Sequence, residues 1–315
     1  MNDSISSLTS LTSLATLTSL IGNTPLIELT RVTAGLKPSV RVFAKAEWFN
    51  PSGSVKDRAA WNIIQSAIAT KQLTRAKVLL DATSGNMGIA YAMLGAALGY
   101  KVKLVMPGNV TRERKIILGA YGAEIEFSSA LEGSDGAIEL VREIYARNPE
   151  QFYYADQYNN QANWRAHTQT TAEEIWRQTN GQVTHFVAGL GTSGTFVGTA
   201  RRLRELNPNI QCFSLQPDGP LNAIEGWKHM PTAIVPGIYD ATLADENLGI
   251  DSEAAHEMTG RLAREEGLFV SPSAGAAAVG ALQVAARMTS GIVVTVFADA
   301  GYKYMSEKFR DGEGI

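Results

Sequence analysis

From Ser39 onward, apolar runs alternate with amphipathic stretches, and this alternation restricts the fold more than any other feature of the chain. Strand-like runs are "VRVFAKAEW", "KVLLDAT", "KVKLVMP", "AEIEF", "THFVAGL", "IQCFSLQ" and "IVVTVFAD". Helical periodicity marks Val55 to Ile68, "MGIAYAMLGAALG", "TRERKIILGAYG", "DGAIELVREIYAR", "TTAEEIWRQT", "TFVGTARRLREL" and "SEAAHEMTGRLAREEG". Such alternation predicts parallel sheets covered by helices on both faces, with ligands at the carboxyl ends of the strands. The 315 residues supply too many units for one compact sheet. The expected fold is therefore α/β, two doubly wound parallel-sheet domains with a cleft between them. Ahead of this pattern, "SLTSLTSLATLTSL" repeats leucine every three residues, a period that drifts around an α-helix. It reads as an arm, loosely held or laid on a partner subunit.

Composition narrows the function classes. A net charge of −3 gives no electrostatic footprint for nucleic acid, and no segment has the apolar length of a membrane span. The first basic residue is Arg31, so no signal peptide is expected and the cytoplasm is the expected location. The lone Cys212 excludes an internal disulfide, and its apolar strand setting suggests a buried small hydrophobe. His167, His185, His229 and His256 share no ligand-like spacing, so no metal site is expected.

Four glycine-bearing junctions carry the chemistry. "NPSGSVKDR" puts Lys56 just after a Ser/Gly turn, at the first turn of a helix. "DATSGNMG" places Thr83, Ser84, Gly85 and Asn86 between a strand and a helix, where backbone N–H groups and hydroxyls form an anion-binding concavity. "GLGTSGTFVG" and "VSPSAGAAAVGA" read as further junctions of the same construction. Taken singly, each is also what a capped helix start looks like, and Lys56 alone could be a solvated helix lysine. Three Ser/Gly junctions beside a lysine turn, in one α/β chain, point further.

The third junction matches the dinucleotide pattern at Gly189, Gly191 and Gly194, so a nucleotide-dependent dehydrogenase is a rival reading. That reading wants an acidic residue ending the next strand, where "SLQPDG" offers Gln216. The hydroxyls of Thr192, Ser193 and Thr195 suit a terminal phosphate monoester better. No Gly-Lys-Ser/Thr follows, and Gly53 stands where a Ser-x-x-Lys acyl-transfer motif needs serine. A reactive lysine with a monophosphate cradle suggests pyridoxal 5′-phosphate, held by Lys56 as a Schiff base. The amine must then be neutral at some stage, through burial or a nearby cation.

The motifs "NPSGSVKDR", "TSGNMG", "GLGTSGT" and "SAGAA" resemble those of the cysteine synthase (O-acetylserine sulfhydrylase) family, fold type II pyridoxal phosphate enzymes. The resemblance runs from Leu20 to Ser306, and "SLQPDGP…EGWKHM…VPGIYD" looks closer to the second bacterial isoform group. It implies a transferase that exchanges the O-acetyl or other activating group of an O-activated L-serine for sulfide or a related thiol, through an α-aminoacrylate. It also implies roles. Lys56 holds the cofactor and acts as base at Cα. Asn86 bonds the cofactor 3′-oxygen, and Gly191, Thr192, Ser193, Gly194 and Thr195 bind its phosphate. Ser273 faces the pyridine nitrogen. Thr83, Ser84, Gly85, Asn86 and Met87, with Gln157, hold the substrate carboxylate. A smaller mobile substrate domain would span 47–158, and 20–46 plus 159–315 would form the larger phosphate-binding domain, with 1–19 as the arm. A homodimer, and a serine acetyltransferase C-terminal tail as partner, are further implications. A neutral serine at the ring nitrogen favours prompt loss of a β-leaving group over long-lived carbanions.

Three positions depart from the family pattern. Met87 replaces the usual threonine, "LLDATSGN" lacks the usual proline, and Ala172 replaces glycine. Alternatives within the fold are a β-eliminating deaminase, a cystathionine β-synthase-like enzyme, or a non-catalytic peptide-binding homologue. The final Gly314 and Ile315 carry a terminal carboxylate beside an apolar side chain, which suggests a self-binding tail that mimics substrate.

Overall fold

The computed structural model describes residues 16–305. The proposed tail at Gly314 and Ile315, and most of the N-terminal arm, lie outside the described residues. Within the arm, Leu17–Leu20 forms a 3-10 turn, the helix type that a three-residue period fits. Leu17 and Ile21 pack against the apolar cluster beneath it.

Two sheets organise the chain. β1 (Leu26–Leu29) and β2 (Val40–Ala46) start the first. After α1 (Lys56–Ala69), the chain builds the second sheet from β3 (Val78–Ala82), β4 (Val102–Pro107), β5 (Glu124–Ser128) and β6 (Phe152–Tyr154), in the order β5-β4-β3-β6. The intervening helices are α2 (Asn86–Leu98), α3 (Arg112–Ala120) and α4 (Gly133–Arg147). Then α5 (Gln161–Gln169) and α6 (Thr171–Gln178) lead back. The first sheet is completed by β7 (His185–Gly189), β8 (Gln211–Pro217), β9 (Glu246–Ile250) and β10 (Gly291–Phe297), in the order β1-β2-β10-β7-β8-β9. Its later helices are α7 (Gly194–Leu206), α8 (Ser252–Glu266) and α9 (Pro272–Ala286).

Pairing is parallel throughout the second sheet and in the first from β2 to β9, as the alternation predicts. β1 differs: it pairs antiparallel with β2, because only a short connection separates the two. The short strands β6 and β9 and the polar helix α5 carry weak periodicity and do not stand out in the sequence. The fourth junction also differs from expectation. No strand precedes α9; a single bridge joins Val270 to Ala300, and the Ser271 hydroxyl caps the helix by accepting from Ala274 N.

Helices α2 and α9 are alanine- and glycine-rich and buried around most of their circumference, which makes them the central helices of their sheets. Cys212 is buried in β8 with a free thiol, and burial pushes that thiol up to about 11. None of the described helices is long and apolar enough to cross a membrane.

Candidate active site

A cavity of about 430 Å³ opens where the carboxyl ends of strands from both sheets meet, at Pro107 of β4, Gly189 of β7 and Val296 of β10. Lys56, the first residue of α1, lines it. So do Thr83, Ser84, Gly85, Asn86 and Met87 at the start of α2, and Gln157 after β6. From the first sheet come Gly191, Thr192, Thr195 and Ser273. Ser193 and Gly194 sit behind that lining, in the same loop.

The Lys56 turn is fastened to the segment that follows β10. Val55 N donates to Ala298 O, and Ser54 bridges Asp299. Lys56 is partly exposed, to the cavity. Desolvation pulls its pKa down, against the upward pull of the Asp299 carboxylate. Asp57 beside it accepts from Ser52 N at 2.7 Å, and burial raises it to about 6. Two residues on, Arg58 is buried between two carboxylates, with Nε donating to Glu47 at 2.7 Å and Nη1 to Glu174 at 2.6 Å. Lys45 Nζ reaches Glu174 at 2.6 Å. Burial alone would raise the Glu174 pKa, but the Arg58 hydrogen bonds and charge hold it at about 2. This network pins α1 to β2 and α6.

At its three glycines the loop from Gly189 to Thr195 has no room for a side chain. A Cβ on Gly189 would strike the Trp227 ring, one on Gly191 the Gly226 carbonyl, and one on Gly194 the Asn163 amide. Ser193 sits at φ +69° at the N-terminus of α7, and its buried hydroxyl has no partner among the described residues. Asn163 Nδ2 donates to both Gln157 O at 2.8 Å and Thr192 Oγ1 at 3.0 Å, leaving the Thr192 proton free to donate. Thr195 Oγ1 lies 3.3 Å from His167 Nε2, and His167 Nδ1 lies 2.9 Å from Thr171 Oγ1. Burial, then the Arg58 charge, lowers His167 to about 3, so its ring is neutral. Hydroxyls, an orphaned donor and a helix N-terminus in a backbone-close cradle fit a phosphate monoester.

The opposite loop is held differently. Thr83 Oγ1 accepts from Gly85 N and Gly88 N at 3.1 and 3.2 Å, which folds the loop onto α2. Gln157 Nε2 donates to Ala82 O at 2.6 Å. Arg114 of α3 donates to Ser84 O at 3.2 Å and makes a two-pronged pair with Glu225 at 2.8 and 2.7 Å. Asn86 Nδ2 donates to Asp299 at 2.7 Å, and Lys303 Nζ donates to Asn86 Oδ1 at 2.8 Å. Ser273 Oγ lies 3.0 Å from Ser271 Oγ. Sequence reasoning did not single out Asn163, Arg114, Glu225, Asp299 or Lys303. Asp299 and Lys303 stand in "ADAGYKYMS", which ends at Ser306, the limit of the resemblance.

The cavity and its two loops define a class: a two-sheet α/β protein whose strand ends meet at a cradle fitted to a phosphate monoester, with a lysine in the cavity wall. The model for the family described as "Pyridoxal-phosphate dependent enzyme" matches residues 17–299, and the chain belongs to that family. It is 47% identical to "Cysteine synthase" of Aquifex aeolicus over 292 residues, covering 91% of this chain and 89% of the relative. It is 42% identical to "Cysteine synthase B" of Escherichia coli, covering 94% and 98%. The crystal structure of cysteine synthase from Entamoeba histolytica superposes with a TM-score of 0.90 at 33% identity, over 98% of this chain and 94% of that one.

Proposed function

We propose that this chain is a pyridoxal-phosphate-dependent cysteine synthase that replaces the O-acetyl or other activating group of an O-activated L-serine with sulfide. The observation that carries the reading is the convergence of Lys56, the Gly191–Thr195 cradle and the Thr83–Met87 loop on one cavity. Bound there, the cofactor supplies the electron sink that lets the substrate's Cα–H bond break.

The chain's own residues do the rest. Desolvation of Lys56 favours a neutral Nζ, able to bond the cofactor aldehyde and later to take the proton from the substrate Cα. Gly191, Thr192, Ser193, Gly194 and Thr195 hold the phosphate, with neutral His167 behind Thr195. Asn86 faces the ring oxygen. Ser273 meets the ring nitrogen with a hydroxyl, which leaves that nitrogen without an enforced proton. Thr83, Ser84 and Gln157, with the backbone of Gly85, Asn86 and Met87, hold the substrate carboxylate. Met87 is buried, so it closes the loop's inner side where a threonine would offer a hydroxyl. Closure of the 47–158 unit around the substrate carboxylate would exclude water between loss of the leaving group and arrival of sulfide.

Further parts of the reading rest on the family resemblance. They are a homodimer in the cytoplasm, a serine acetyltransferase tail as a partner of this cleft, and a mobile 47–158 unit against 20–46 plus 159–315. The strands of the second sheet all fall between 78 and 154, which supports that division.

The deciding test combines spectrum and product. Wild-type protein with pyridoxal phosphate gains a visible absorbance band and forms cysteine from O-acetylserine and sulfide. Lys56→Ala loses the band and drops turnover by roughly 10³-fold or more. A colourless wild type, or one that releases pyruvate and no cysteine, overturns the proposal.

A further inference from the structure

The amide of Asn86 is held at both ends by charged side chains that reach it from the far end of the chain. Lys303 Nζ donates to Asn86 Oδ1 at 2.8 Å and to Gly53 O at 3.2 Å. Asn86 Nδ2 donates to Asp299 Oδ2 at 2.7 Å, and Tyr304 Oη donates to the same oxygen at 2.8 Å. Asp299 and Lys303 are both buried, at 0% and 9% exposure. An ammonium can only donate, and a carboxylate can only accept. The two ends of the amide are therefore not interchangeable. Flipping it would set an NH₂ against the Lys303 ammonium and a carbonyl oxygen against the Asp299 carboxylate, both buried and both repulsive. One Nδ2 proton is taken by Asp299. The other has no protein acceptor among the described residues, on a side chain that lines the cavity.

We infer that Asp299 and Lys303 are positioning residues that lock the Asn86 amide, so that position 86 meets the cofactor's ring oxygen as a hydrogen-bond donor and never as an acceptor. This rests on the reading above that Asn86 faces that oxygen. A locked donor favours the ionised ring oxygen; a free amide could present either end and would favour it less. The arrangement also explains why the segment after β10 runs back to the second sheet's side. Thr111 Oγ1 bonds Lys303 O, and the Arg114 guanidinium stacks over Tyr304 at 4.9 Å. Those contacts hold Asp299 and Lys303 at the start of α2, where the amide begins.

Two readouts test the inference, one of them without cofactor. In the cofactor-free protein with ¹⁵N-labelled asparagine, one Asn86 Nδ2 proton resonates downfield, as a bond to a carboxylate requires, and Asn86→Asp assigns the signal. Asp299→Asn and Lys303→Met remove that signature, while Lys303→Arg keeps it. In the loaded protein, both disrupting variants raise the pH midpoint at which the visible band appears; Lys303→Met decides, because Asp299→Asn also removes the carboxylate beside Lys56. They also weaken pyridoxal phosphate binding by roughly 10-fold, the scale of one charge-assisted hydrogen bond. Lys303→Arg restores both. Lys303→Met covers the case in which Asp299→Asn does not fold. Unchanged Asn86 resonances in the disrupting variants overturn the inference, whatever the cofactor does. Should the resonances change while the variants and Asn86→Ala keep the wild-type band and midpoint, Asn86 does not face the ring oxygen. That result overturns the reading of Asn86, and the donor role with it.

Discussion

The two loops that face each other across the cavity are built on opposite principles. The Gly189–Thr195 loop is fixed by close packing: backbone, indole and amide atoms fill the space where Cβ atoms on its glycines would go. The Thr83–Met87 loop is held by polar contacts from elements distant in sequence, through Arg114 with Glu225 and through Asn86 with Asp299 and Lys303. Close packing resists displacement in every direction. Polar contacts set orientation while allowing a change of partner. The phosphate end of such a site is the natural fixed point, and the carboxylate end is the natural place for substrate to be felt.

Breaking the buried network should give the largest effect. Arg58→Met strips the buried Glu47 of its bonded cation, leaves Glu174 with Lys45 alone, and should destabilise the fold by about 3–5 kcal/mol, read from the denaturant midpoint. Acid tests the same network. The folded pKa of Glu174, at about 2, lies below its ordinary value of 4.5. Its contribution is thus fully present above pH 4.5 and is lost as the pH falls toward 2. The Arg58→Met variant should lose most of that stretch of the wild-type stability curve, Lys45 keeping the remainder.

Gly194→Ala comes next. The added methyl group meets the Asn163 amide, which also serves Thr192, so about 1–3 kcal/mol of overpacking is expected together with loss of bound cofactor on dialysis. Glu225→Gln should do least to stability, about 1 kcal/mol, because glutamine still accepts one of the two hydrogen bonds from the buried Arg114. It should instead raise KM for the amino-acid substrate several-fold with kcat nearly kept, and wild type should drift the same way in high salt. A cofactor lost from Glu225→Gln but kept by Gly194→Ala would reverse the comparison.

Sequence legibility divides along the same line. Lys56, Thr83 to Met87 and Gly191 to Thr195 stand out because each junction packs its turn chemistry into a few consecutive residues, and the strand–helix alternation is equally local. What escapes is set by partners far apart in the chain. Glu225 meets Arg114 across 111 residues, and Lys303 meets Asn86 across 217. No periodicity announces a contact of that kind. Short β6 and β9, and α5 with its polar "QANWRAHTQ", fail for another reason: tertiary packing, more than propensity, makes them regular.

The reach of Asp299 back to Asn86 also bears on how the protein matures. Those two residues are separated by 213 positions, so at translation rates of about 5–20 residues per second the ribosome needs roughly 10–40 s to deliver the second after the first. Throughout that interval the nascent chain carries a half-finished pocket, and a stable charge of vitamin B6 must await the final strand.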